Sequence, residues 1–177
     1  MHDPFIPSEE DVRLMGILTD EMRQLLRDQR LGDIATVSPE GAPCISLKGS
    51  LAVLDDDTIV WVNIHSPRTV HNLATNSQVE ILVVDPFARK AARFAGKGLV
   101  IPLDSNYWKT LEMYRAEGSD ITRIKTVVAI VVNRAEVIRS PIYDTGVSEE
   151  EVKALWHEYF VKASHRTILD LIPPRDF

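Results

Sequence analysis

The spacing of apolar positions changes twice along the chain. Met22, Leu25 and Leu26 recur at helical intervals behind Thr19-Asp20-Glu21, which offers a cap and first-turn acids, and the stripe stops before Gly32. Ser8-Glu9-Glu10-Asp11 carries the same start signal, so two short helices are predicted, over 8–16 and 19–30, interrupted near Gly16. From Ile34 onward the apolar residues come in short β-branched runs: 34–37, 44–54, 58–62, 79–84, 93–101 and 126–132, the last extended by 136–139. Turn-forming clusters such as Ser38-Pro39-Glu40-Gly41 and Asp55-Asp56-Asp57 separate them, the pattern of an antiparallel meander. Helical signals return after Pro67, again after Asp104-Ser105 with Tyr107, Trp108, Leu111 and Tyr114, and at Ser148-Glu149-Glu150-Glu151. The last is a capping box opening a helix of about 148–163 through Leu155, Trp156 and Phe160. Six antiparallel strands with peripheral helices predict one α+β domain over 1–177, its sheet closed or nearly closed into a barrel over about 33–140.

Composition narrows the class. The 177 residues are 45% hydrophobic and 26% charged, which suits a folded globular chain and not a disordered one. No run approaches the roughly 18 apolar residues of a membrane-spanning helix, and the opening residues lack the basic head and apolar run of a signal peptide. A single cysteine, Cys44, allows no internal disulfide or paired-cysteine metal site, so a cytoplasmic location is expected. The net charge of −6 argues against nucleic-acid binding through a global positive field.

Candidate chemistry gathers at Ser66-Pro67-Arg68-Thr69, where the apolar run ending at Trp61-Val62-Asn63 passes into a helix. Serine is a preferred cap and proline a preferred first helical residue. The first-turn amides have no intrahelical acceptor, and the helix dipole adds positive potential. Arg68 contributes a fork suited to phosphate oxygens and Thr69 a hydroxyl. An ordinary capped helix with Arg68 in solvent fits the same residues equally well. In Cys44-Ile45-Ser46-Leu47-Lys48-Gly49-Ser50, a lysine interrupts an apolar strand. Either it lies on the exposed face or it meets an anion, and Gly49 beside it permits a bulge or close approach. The basic stretch 87–98, with Arg89, Lys90, Arg93 and Lys97, fits a hairpin followed by a charge-protected edge strand. The five histidines form no HExxH array, and no phosphate-loop, dinucleotide or nucleophile-elbow motif occurs.

Three segments resemble the pyridoxamine 5′-phosphate oxidase-like superfamily in the family's own order: 34–43 its opening strand and turn, 68–79 its phosphate-binding helix and next strand, and 93–98 its "R-V-x-G-x-A" strand. The resemblance covers roughly 20–140. It implies a six-stranded split β-barrel homodimer with flavin mononucleotide (FMN) at the subunit interface. By position, Arg68 and Thr69 would hold the flavin phosphate behind Ser66, with Lys48 joining them or lying near the ring. Ser46 and Leu47 would face the isoalloxazine edge through backbone groups, and Val62 and Asn63 would line the pocket. Lys90 falls near the contact expected from a partner chain, where Ala91 replaces the family's usual glutamine. The end of the chain, 168–177, lacks the Arg-Leu-x-Pro and Trp–Arg features that handle pyridoxine in the authentic oxidases. The expectation is therefore an FMN-dependent oxidoreductase acting on an unassigned small molecule. It carries no assigned catalytic residue and no metal site, and needs neither nucleic acid nor membrane. A flavin- or haem-binding sensor without turnover, with His65, His157 or His165 as an axial ligand, and a deazaflavin-dependent reductase remain alternatives.

Overall fold

The computed structural model describes residues 16–103 and 107–164. Residues 8–15 of the helix expected over 8–16 and the chain's last thirteen residues lie outside them. Contacts divide the chain into two compact units, one running to Val84 and joined by Ala91–Ile138, the other formed by Asp85–Lys90 and the residues from Arg139 on.

In the first unit, helix α1 (Asp20–Gln29) starts where the sequence signals it, the Thr19 hydroxyl accepting from Met22 N at 3.4 Å. It buries Met22 and Leu26 and ends at Arg30, whose left-handed φ of 52° lets its N–H reach Leu26 O. The sheet holds seven strands: β1 (Gly32–Val37), β2 (Pro43–Lys48), β3 (Ala52–Val53), β4 (Thr58–Asn63), β5 (Gln78–Asp85), β6 (Lys90–Pro102) and β7 (Thr126–Arg139). Their lateral order is β2-β1-β5-β6-β7-β4-β3. Strand β4 is almost wholly buried and antiparallel to β7 over six residue pairs, from Thr58↔Val131 to Asn63↔Thr126. Trp61 sits in the larger core cluster with Leu26, Ile34, Ile81, Phe94 and Ile130. A smaller cluster joins Val60 and Val62 to Tyr114 and Ile124.

This architecture corrects the six-stranded split β-barrel expected from the sequence. The sheet is α+β and antiparallel as expected, but it has seven strands and is not closed, with β2 and β3 as its two edges. The difference arises in the apolar run 44–54, which reads as one strand and folds as two. The 49–51 link turns away from β2, and its polar groups are engaged elsewhere. Leu51 N donates to Arg30 O at 3.1 Å, Ser50 O accepts from the Tyr114 hydroxyl at 2.6 Å, and Ser50 Oγ accepts from Val62 N at 3.3 Å. What remains of the run is a two-residue β3, too short to carry a ladder along six-residue β2 and close the ring. The strand order is likewise no simple meander, since β5 inserts beside β1. Strand β6 is also internal, not an edge, and Arg93 on it pairs with both Glu80 and Glu136.

In the second unit the Asp85 carboxylate accepts from Phe87 N and Ala88 N in the turn that follows β5. The helix Glu149–Ser164 opens on the expected capping box. Ser148 N donates to Glu151 at 2.9 Å, and Glu151 N donates to the Ser148 hydroxyl at 3.2 Å.

Candidate functional site

Helix α2 (Pro67–Thr75) follows β4 directly, and the local sequence explains its unusual start. Ser66 occupies the cap position but makes no side-chain cap bond. The Asn63 side chain takes over the turn instead, its oxygen accepting from Ser66 N at 2.9 Å and its amide donating to Thr126 Oγ1 at 3.2 Å. Val70 N reaches Ser66 O at 3.1 Å, whereas the main-chain N–H groups of Arg68 and Thr69 find no acceptor among the described residues. Two first-turn donors are thus left for something else.

The released Ser66 hydroxyl faces Lys48, which crosses from the end of β2 and is 5% exposed. Its Nζ donates to Ser66 Oγ at 3.0 Å, to Thr69 Oγ1 at 3.5 Å and to Ser46 Oγ, and lies 4.9 Å from the centre of the Trp61 ring. Among the described residues no carboxylate pairs with it. Burial lowers its pKa from the ordinary value. A buried cation held only by neutral hydroxyls and an indole face is unusual, because buried charges are normally paired. Each hydroxyl that accepts from Lys48 keeps its own proton to donate outward, so ammonium, hydroxyls and free amides converge on the requirements of an anion.

A cleft of about 420 Å³ opens beside this cluster. Leu47, Lys48, Val62 and Ser66 line it, along with residues the sequence did not single out for a site: Ser50, Ser119, Asp120 and Arg123. The latter three belong to the segment after helix α3 (Trp108–Ala116), where the Asp120 carboxylate caps a short 3₁₀ turn by accepting from Thr122 N at 3.1 Å. That Asp-x-Thr pattern is legible as a turn but carries no sign of which cavity it faces. His65, weighed in the sequence only as an axial ligand, is exposed at the same cleft.

The structure therefore gathers Lys48, Ser46, Ser66 and Thr69 into one cluster, places Leu47 and Val62 on the adjoining cleft, and makes Asn63 a brace of the helix start. Ser46 acts through its side chain. Arg68 is exposed beside the cluster and makes no ion pair among the described residues. Lys90 belongs to the second unit, where it pairs with Glu149 at 2.5 Å and lies over the Tyr143 ring. Gly49 proves unnecessary for close approach, since a Cβ there would meet nothing nearer than Leu31 at 3.9 Å.

The family model for pyridoxamine 5′-phosphate oxidase matches residues 18–139, and the chain belongs to this family. Among solved structures it is similar to HupZ of Group A Streptococcus, at 28% identity and a TM-score of 0.61, over 69% of this chain and 94% of that one. An FMN-binding protein of Syntrophomonas wolfei shares the fold at 15% identity and a TM-score of 0.59, over 75% of this chain and 94% of that one. HutZ, a heme storage protein of Vibrio cholerae, shares it at 20% identity and a TM-score of 0.55, over 69% and 94%. No curated protein matches the chain.

Proposed function

We propose that the protein binds flavin mononucleotide with its phosphate at the Lys48 cluster and serves as an oxidoreductase for a small molecule admitted by the adjoining cleft. The observation that carries this reading is the buried ammonium of Lys48, which bonds the Ser66 and Thr69 hydroxyls at the start of α2 and has no carboxylate partner among the described residues. Such a site favours a ligand that brings its own negative charge. The residues fit the cofactor in chemistry and in size. Lys48, Ser46, Ser66 and Thr69 would hold the phosphate, Arg68 would close over it from solvent, and Leu47 and Val62 would flank the ring system. A cleft of about 420 Å³ lies within the range of small-ligand pockets.

When bound, the flavin supplies hydride transfer at its N5. The chain's part is to bind and orient: a phosphate anchor at one end, apolar walls along the ring and polar groups from the Asp120 turn at the mouth. No side chain here needs to act as a general acid or base. In keeping with the family, the proposed working form is a homodimer with flavin at the subunit interface. The exposed apolar residues Ile45 and Leu47 on β2 and Leu82 on β5 support it, since they lie on one outward face of the two strands that flank β1. Extraction of the chromophore from purified protein and its identification by mass spectrometry tests the cofactor. FMN at up to one per chain is the expected result, and colourless protein that takes up no FMN on reconstitution would overturn it. Recovery of a deazaflavin or haem instead would replace the cofactor and reject the FMN reading.

A further inference from the structure

Gly49 and Ser50 of the 49–51 link that follows Lys48 line the cleft, and three separate elements fasten this link. Arg30 at the end of α1 accepts from Leu51 N, Val62 on β4 donates to Ser50 Oγ, and Tyr114 on α3 donates to Ser50 O. The third bond reaches furthest across the chain, joining residues 64 positions apart. Tyr114 is fully buried against Val60, Val62, Ile124 and Val127, and burial pushes its phenol pKa upward, so the group stays a donor throughout the neutral range. Its single proton is divided unequally: Ser50 O lies at 2.6 Å and Val60 O at 3.2 Å. A carbonyl in a link that pairs with no strand needs such a donor, and among the described residues no other group donates to Ser50 O.

We propose that Tyr114 is a positioning residue for the anion site: through Ser50 its hydroxyl holds the 49–51 link, and with it the Lys48 ammonium, in place for a ligand phosphate. The inference rests on the flavin reading for the identity of the ligand, but the hold on Lys48 is a property of the chain alone. Removing one oxygen would leave the aromatic packing intact, free the Ser50 carbonyl and loosen the backbone two residues from Lys48.

Two measurements on full-length Tyr114→Phe test this. In flavin-free protein, the Lys48 amine is acetylated with acetic anhydride and read by peptide mass spectrometry, with exposed Lys97 as internal reference. Lys48 should react several-fold faster in the variant than in the parent, and an unchanged ratio would overturn the proposal. FMN and riboflavin are then titrated in parallel. The variant should lose about tenfold in FMN affinity, the scale of one weakened charge-assisted hydrogen bond, with riboflavin affinity nearly constant. Equal loss for both ligands would assign Tyr114 a merely structural role. If the parent protein takes up no FMN, the flavin reading fails while the acetylation ratio still decides the role of Tyr114. Should Tyr114→Phe not fold, Ser50→Ala removes the Val62 N bond to the same link while keeping the ring and its hydroxyl bond, and the acetylation arm alone is read. Faster Lys48 reaction would support the link's hold on the ammonium, and an unchanged ratio would overturn the proposal, which depends on that hold.

Discussion

Lys48 separates two quantities that usually move together, stability and binding. Its ammonium is desolvated without a counter-charge, so it burdens the ligand-free fold while providing the attraction for a phosphate. Lys48→Met keeps most of the volume and discards the charge. The variant should melt no lower than the parent without flavin, yet bind FMN roughly 10- to 100-fold more weakly, the range for a hydrogen bond to a charged group. Thermal melts and flavin titrations on the same samples check both. A fall in melting temperature with unchanged affinity would mean that the ammonium is structural. A second expectation follows from its lowered pKa. A phosphate stabilises the ammonium and raises that value again, so FMN binding takes up a proton between the two pKa values. FMN affinity should be full below the pKa of the free protein and decline as pH rises through it, whereas riboflavin affinity should stay flat. The fold itself responds with the opposite sign. The unfolded lysine keeps the ordinary value of 10.5, so between the lowered pKa and 10.5 the unfolded chain binds more protons and stability rises with pH.

At the scale of elements, close packing between β6 and β7 depends on Gly96. A Cβ there would lie 2.2 Å from Val131 O, a backbone atom of the neighbouring strand that cannot step aside as a side chain could. Gly96→Ala should therefore cost at least about 1–3 kcal/mol, read as a lower urea midpoint, while Gly49→Ala, with only Leu31 at 3.9 Å, should leave the midpoint almost unchanged. Much at this scale was legible beforehand. The Thr19 cap, the Ser148–Glu151 box and the helix start at Pro67 are local events, decided by residues within a turn of one another. Long-range decisions were hidden. The run 44–54 reads as one strand because every residue between Cys44 and Leu54 but Lys48, Gly49 and the serines is apolar. It breaks because Tyr114 and Arg30, distant in sequence, take the hydrogen bonds of the 49–51 link. The same holds for the site. Lys48 was legible as an anomaly, and Ser66 as a cap, but not that Asn63 would free the Ser66 hydroxyl to face Lys48.

At the scale of the whole molecule, an open sheet raises the question of what covers its outward face. Ile45 is 75% exposed, Leu47 60% and Leu82 36%. The strand registers set them side by side, Ala35 opposite Ile45 and Asp33 opposite both Leu47 and Leu82. Ile45 and Leu82, together with Ile138, line a shallow cleft of about 380 Å³ whose charged members, Asp33, Glu80 and Arg93, are of both signs. A second copy of the chain presents the same mixed charges, so a two-fold arrangement can set Arg93 of one copy toward carboxylates of the other without net repulsion. Leu47 belongs both to this face and to the cleft proposed for the flavin, which ties the two questions together. Light scattering should give about twice the chain mass of 19.9 kDa. Leu82→Glu places a charge on the outward face without touching the Lys48 cluster or its cleft, and its burial in a dimer would be costly. That variant should run as a monomer and lose FMN affinity along with the dimer. A monomeric variant that retains full FMN affinity would put the entire flavin site within one chain, and a dimeric one would move the subunit contact to another surface.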